Sequence, residues 1–152
     1  MENKNLNIHS SIHSFTKEHH YGKLLTWKIH QGLKQGIKIE KIIEEVNWFW
    51  SSYLSDHFES EEQLLFPILG NDNELVKKAV LQHKKLRRLF EQPRKDLRVL
   101  YHIEEMLEQH IRFEEKVLYS EIQSVAMEFY PEQADEVYIF RPLKEWDTEA
   151  KW

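Results

Sequence analysis

Apolar residues recur at three- and four-residue spacing along most of the chain. Between about 39 and 66 they fall at Ile42, Val46, Phe49, Trp50, Tyr53, Leu54, Leu64 and Leu65. Towards the C-terminus they fall at Val99, Ile103, Met106, Leu107, Phe113, Val117 and Leu118. This spacing gives a helix one apolar face and one wet face. Gly and Pro divide the pattern into four stretches. The first helix is predicted over about Ile12 to Leu33, with Gly32 and Gly36 forming its loop, and the second over about Ile39 to Phe66. Pro67 and Gly70-Asn71-Asp72-Asn73 end the second. Asn71 or Asp72 is expected to cap a third helix reaching Gln92. The fourth starts near Arg94 to Asp96 and meets neither Gly nor Pro before Pro131, on the order of 50 Å at helical rise. Short loops make consecutive helices antiparallel, so the expected fold is all-α, an up-down-up-down four-helix bundle. A single domain over 1–152 is expected, with a core of about 8–130 and a C-terminal tail, 131–152. The tail's apolar run Val137-Tyr138-Ile139-Phe140 is left two readings: packing across the bundle or docking a partner.

Composition narrows the function. At 41% hydrophobic and 31% charged, the 152-residue chain is too apolar for disorder, and its 4 Gly and 4 Pro are too few for a many-stranded barrel. It has no Cys, which excludes disulfides, thiolate metal sites and a thiol nucleophile. The net charge of -5, with Lys and Arg scattered among Glu, offers no stripe for nucleic acid. No apolar run reaches the roughly 18 residues of a membrane span. The polar opening, Met1-Glu2-Asn3-Lys4-Asn5, does not read as a secretion signal, so the expected location is the cytoplasm.

Among nine His, position singles out a few. His57 with Glu61-Glu62 and His110 with Glu114-Glu115 repeat one motif, H-x-x-x-E-E. Spacing of i and i+4 stacks imidazole and carboxylate on one helical face. That face is the apolar one, since His57 follows Trp50, Tyr53 and Leu54 as His110 follows Ile103, Met106 and Leu107. Helix one adds His19, after Ile12 and Phe15, and helix three adds His83, between Val80 and Leu86. A lone His on an apolar face is usually a hydrogen-bonded core residue, but the repeated pair is hard to explain as ordinary ion pairing. Buried carboxylates need compensation. Four imidazoles and two carboxylates suit two first-row metal ions bridged by the carboxylates about 3.5–4 Å apart. His20 competes with His19 but follows polar Thr16 and Lys17, while Glu62 and Glu115 read as solvated flanks or outer partners of the ligands. His9, His13, His30 and His102 read as surface residues. One spacing resists this convergence: His83 stands 10 residues before Pro93, whereas His110 stands 17 after it.

With Glu18-His19, His57 and Glu61, Leu81-Gln82-His83, and His110 and Glu114, the sequence resembles the hemerythrin-like cation-binding family over about residues 8 to 125. The run Glu18-His19-His20-Tyr21-Gly22-Lys23-Leu24-Leu25 is similar to a bacterial branch of it. The resemblance implies a four-helix bundle holding a non-heme di-iron centre that meets dioxygen or a related small ligand. The oxygen carriers have two His at i, i+4 on helix three, whereas here Ala79 and Arg87 flank His83 at those offsets. Their last ligand is an Asp one position further on, where this chain has Glu115. Both departures weigh against reversible oxygen carriage. Ferritin-type sites need Glu-x-x-His, and Leu54, Val80 and Leu107 stand three before His57, His83 and His110.

The leading expectation is therefore a protein that binds two Fe ions, with Mn or Zn as alternatives, through His19, His57, Glu61, His83, His110 and Glu114. It would bind or sense dioxygen, nitric oxide or iron itself. The alternatives are a di-iron oxidase or peroxidase using the same site and a metal-free helical interaction domain.

Overall fold

Asn7 opens the first helix earlier than the periodicity suggests. Its side chain accepts the Ser10 N–H at 3.1 Å, so α1 (Ile8–Gln35) begins a full turn before Ile12. The structure, a computed structural model, describes residues 6–129, 136–147 and 152. At the other end Gly36 takes φ 78°, and the Ile37 N–H reaches back to the Gly32 carbonyl at 2.9 Å. This left-handed cap suits Gly. Gly32 thus lies inside α1 and not in the loop. A Cβ there would meet the Trp152 ring at 2.9 Å.

The second stretch is continuous but not uniformly α-helical. α2 (Ile39–Phe49) passes through a π turn at Trp50–Leu54 into α3 (Ser55–Ser60), then a second π turn at Glu61–Leu65 and a 3-10 turn at Phe66–Ile68. α4 (Glu74–Phe90) is capped by Asn73 and not by Asn71 or Asp72. Asn73 Oδ1 accepts the N–H groups of Leu75 at 2.8 Å and Val76 at 3.2 Å. The reason is the turn that Gly70 permits with φ 91°: it closes with the Asn73 N–H on the Gly70 carbonyl and uses up Asn71 and Asp72. Asn73→Ala is accordingly expected to cost about 1 kcal/mol in thermal or urea unfolding. Asp72→Ala should stay within about 0.5 kcal/mol, and the reverse order would show the cap to be misplaced.

α5 (Leu97–Phe113) is capped by Asp96, runs into a π turn at Glu114–Leu118 and continues as α6 (Tyr119–Phe129). A short α7 (Lys144–Asp147) follows in the tail. The described residues are otherwise irregular, apart from one isolated bridge between Leu6 and Glu136. No helix among them is long and apolar enough to cross a membrane.

The core is split in two. One apolar cluster gathers Leu25, Ile29, Val46, Phe49, Leu86 and Leu100, and the other Ile12, Phe15, Leu65, Val76, Leu118 and Ile122. On all four stretches the break between clusters falls where the sequence places His or Glu. His19, His57, Glu61, His83, His110 and Glu114 fill that layer with exposures of 0 to 3%. The short interval from His83 to Pro93 is absorbed by helix length, since α4 has 17 residues against 28 in α1. The described tail packs across the helices: Tyr138 stacks on Phe15 at 4.0 Å, Phe140 on Tyr21 at 6.0 Å and Trp146 on Phe49 at 4.9 Å.

Candidate metal centre

Glu61 and Glu114 each stand at the first position of a π turn. The Phe66 N–H returns to the Glu61 carbonyl and the Tyr119 N–H to that of Glu114. Such i to i+5 turns add one residue to the helical repeat and recur at functional sites. In a straight α-helix Tyr119 would lie about 140° around the axis from Glu114. The π turn swings it to the inner face, where its hydroxyl donates to Glu61 Oε2 and also lies 3.3 Å from Glu114 Oε1 and 3.4 Å from His19 Nε2.

Glu61 and Glu114, both fully buried, each divide their oxygens between two pairs of imidazoles. Glu61 Oε1 lies 3.1 Å from His83 Nε2, while Glu61 Oε2 lies 3.5 Å from His57 Nε2 and 4.0 Å from His19 Nε2. Glu114 Oε1 lies 3.0 Å from His19 Nε2, and Glu114 Oε2 lies 3.1 Å from His110 Nε2 and 3.5 Å from His83 Nε2. Two donor sets result, His19, His57, Glu61 and Glu114, and Glu61, His83, His110 and Glu114. The donor atoms of each set lie within 4.8 Å of one another.

The outer nitrogen of every imidazole is already engaged. His19 Nδ1 pairs with Glu115 at 2.9 Å, His57 Nδ1 with Glu18 at 2.8 Å, His83 Nδ1 with Glu62 at 2.7 Å and His110 Nδ1 with Gln82 at 2.6 Å. An acceptor there holds the proton on Nδ1, so the neutral ring turns the Nε2 lone pair inward. Five inward atoms consequently have no hydrogen-bond partner: His57 Nε2, His83 Nε2, His110 Nε2, Glu61 Oε1 and Glu114 Oε2. Each such buried atom costs about 1–3 kcal/mol. Lone pairs from three of the four helical stretches converging on one small volume fit cations, which would satisfy all five together.

The electrostatics identify protons as the competitor for the same lone pairs when no ion is bound. Burial alone would lower the His57 pKa, but the Glu61 charge and the Glu18 hydrogen bond raise it to about 9. Burial likewise opposes the charge on His83, whose contacts with Glu114, Glu61 and Glu62 hold it well above the ordinary value. His19 is raised against its burial by Glu114 and Glu115. At His110 burial prevails over Glu114, and the pKa falls. Glu114 is held well below the ordinary range despite burial, because His110, His19 and His83 surround it. Burial and the nearby Glu114 and Glu61 push Tyr119 well above an ordinary phenol, so it stays a neutral donor.

All six residues singled out by spacing come together here. His19, not His20, faces the centre, and His9, His13, His20, His30 and His102 are exposed. Ala79 is buried and contributes no donor. Glu62 and Glu115 hold imidazoles from outside. Sequence reasoning missed Tyr119 and gave no role to Glu18 or Gln82. The signal for the latter two was present in part, since each immediately precedes a His on an apolar face. A cavity with room for roughly one water-sized molecule borders the centre, lined by Gly22, Leu54, Phe58, Leu107 and Ile111 beside His19, His57 and His110.

Residues 10–122 match the family model described as the hemerythrin HHE cation binding domain. No curated protein and no solved structure matches the chain.

Proposed function

The chain belongs to the hemerythrin HHE cation-binding domain family, and from that premise we propose that it is a cytoplasmic non-heme di-iron protein which binds or senses dioxygen, nitric oxide or iron itself. Its four helical stretches form an up-down-up-down bundle, and the metal layer crosses the middle of it. The observation that carries this reading is the set of five unpartnered inward atoms behind imidazoles locked at Nδ1. His19 and His57 would hold one ion, His83 and His110 the other, with Glu61 and Glu114 shared between them. Iron bound there would supply an exchangeable coordination position for a small ligand.

The chain's own groups define what such a ligand meets. Leu54, Phe58, Leu107 and Ile111 give the adjoining cavity an apolar wall, and its size suits a diatomic molecule better than an organic substrate. Gly22 sets one wall, since a Cβ there would press on Ile111 Cδ1 at 2.8 Å. Tyr119 keeps its proton on the phenol oxygen and hydrogen-bonds through it to Glu61 Oε2. Reduction of dioxygen or peroxide is the second reading, favoured by this oxidisable phenol beside the donor atoms.

Elemental analysis of protein expressed with iron, together with its optical spectrum, tests the proposal. About two irons per chain are expected, and a chain isolated without stoichiometric metal that also fails to bind ferrous iron added anaerobically would refute it. Turnover assays with hydrogen peroxide and dioxygen separate the binding reading from the enzymatic one.

A further inference from the structure

Glu18, which holds His57 from outside, is itself held by the C-terminal segment. Its Oε1 accepts from His57 Nδ1 at 2.8 Å and from the Tyr138 hydroxyl at 3.1 Å. Its Oε2 accepts from the same hydroxyl at 2.9 Å and from the Arg141 main-chain N–H at 3.0 Å, and the Arg141 guanidinium Nε stands 3.8 Å away. Tyr138 and Arg141 lie beyond residue 122, outside the segment that matches the family. Both are anchored by further contacts. The Tyr138 ring stacks on Phe15, which meets the His57 ring edge-on at 5.5 Å, and the Tyr138 N–H donates to Ser11 Oγ at 2.9 Å. The Arg141 guanidinium covers the Tyr53 ring at 4.4 Å and donates to the Tyr53 carbonyl at 2.9 Å. The Tyr53 hydroxyl donates in return to the Arg141 carbonyl at 2.6 Å.

We propose that Tyr138 and Arg141 are positioning residues of the metal centre: through Glu18, the docked C-terminal segment orients His57 and sets the metal affinity of the His19 and His57 pair. The inference rests on the metal-binding reading above. The Tyr138 hydroxyl reaches both oxygens of Glu18, at 3.1 and 2.9 Å, and with the Arg141 N–H on Oε2 it fixes the rotation of the buried carboxylate, which so presents Oε1 to Nδ1 in one geometry. Outer partners of this kind change metal affinity by about 10- to 100-fold. The effect is confined to one ion, because His19, His83 and His110 take their Nδ1 partners from Glu115, Glu62 and Gln82, all within the matched segment. Linkage makes the coupling reciprocal: metal at this pair holds the segment down by the same factor that the segment tightens the metal. Occupancy of one metal position is thereby communicated to the C-terminal end of the chain.

Tyr138→Phe tests this on the full chain, since it keeps the ring on Phe15 and removes only the hydroxyl. Chelator competition with ferrous iron, and with Zn(II) as a redox-inert probe, should show one of two ions weakened about 10-fold or more and the other unchanged. Asp147→Ala serves as control, because it cuts the 2.6 Å bond from the Tyr21 hydroxyl at the far end of the segment and leaves the partners of Glu18 in place. It should alter affinity much less. A second measurement needs no metal: in ¹⁵N-histidine spectra of the metal-free protein the His57 Nδ1–H should be downfield and slow to exchange, and Tyr138→Phe should speed that exchange. Equal weakening of both ions, no weakening, or an unchanged His57 exchange rate would overturn the inference. Absence of metal binding by the unsubstituted chain would instead overturn the di-iron reading, and the exchange rate would still decide whether the segment controls His57.

Discussion

Glu61→Ala and Glu114→Ala are each expected to empty both metal positions, whereas His83→Ala should leave about one ion per chain. The asymmetry follows from geometry. Each of these carboxylates gives one oxygen to each donor set, with Glu61 Oε1 beside His83 and Glu61 Oε2 beside His57. A single imidazole serves only one set. Because metal binding free energy adds to folding free energy, the holo melting temperature should fall much more than that of the metal-free form. Elemental analysis combined with circular dichroism melts, with and without a chelator, reads both quantities. Glu62→Ala and Glu115→Ala, which hold His83 and His19 from outside, should weaken binding without abolishing it. Equal destabilisation of both forms would mark the six residues as ordinary core, and a larger effect at Glu62 or Glu115 would show the inner donors to be misassigned.

The second large effect concerns pH: as pH rises the metal-free protein should weaken while the stability added by metal grows. In the metal-free fold the His57 pKa is raised to about 9 by Glu61 and Glu18, against its burial. A raised folded pKa stabilises fully below the unfolded value, about 6.5, and that stability is lost as pH climbs through about 9. The loss from His57 is on the order of 3 kcal/mol, and His83 and His19, also raised, act in the same direction. His110, depressed by burial, acts oppositely: its contribution is lost as pH falls below the ordinary value. Metal needs the imidazoles neutral, so the holo increment should grow across the window in which the metal-free protein weakens. From sequence alone proton competition would begin only below about 6.5. The buried carboxylates bring it to higher pH. Melts from pH 5 to 9.5, with chelator or with iron, check this, and a metal-free stability that stays flat or rises between 6.5 and 9 would contradict it.

The helices were legible because burial is periodic. Val46, Phe49, Tyr53 and Leu54 mark the inner face of the second stretch without any knowledge of its neighbours, and Asp96 marks where the fourth begins. The ends were less so. Whether Asn71, Asp72 or Asn73 caps α4 depends on the turn closed at Gly70, and all three can cap. Gly32 looks like a loop residue until Trp152, 120 positions away, is found against it. The tail carried an apolar run without a period, so its docking on Phe15, Tyr21 and Phe49 could not be read from order along the chain.

What the sequence by itself determined is the pairing of His57 with Glu61 and of His110 with Glu114, which are local i, i+4 pairs on faces whose apolar neighbours are also local. Tertiary structure decided which oxygen each carboxylate gives to which imidazole, because that depends on four stretches meeting at one height. It also decided the outer partners: Glu18 and His57 are 39 residues apart, and Glu115 and His19 are 96 apart. Tyr119 was hidden for another reason. A count at 3.6 residues per turn puts it off the face of Glu114, and only the π turn at Glu114–Leu118 returns it to the centre. Local spacing fixes which groups share a helix face, whereas a shift in helical repeat and contacts between distant segments are set by the packing of the whole chain.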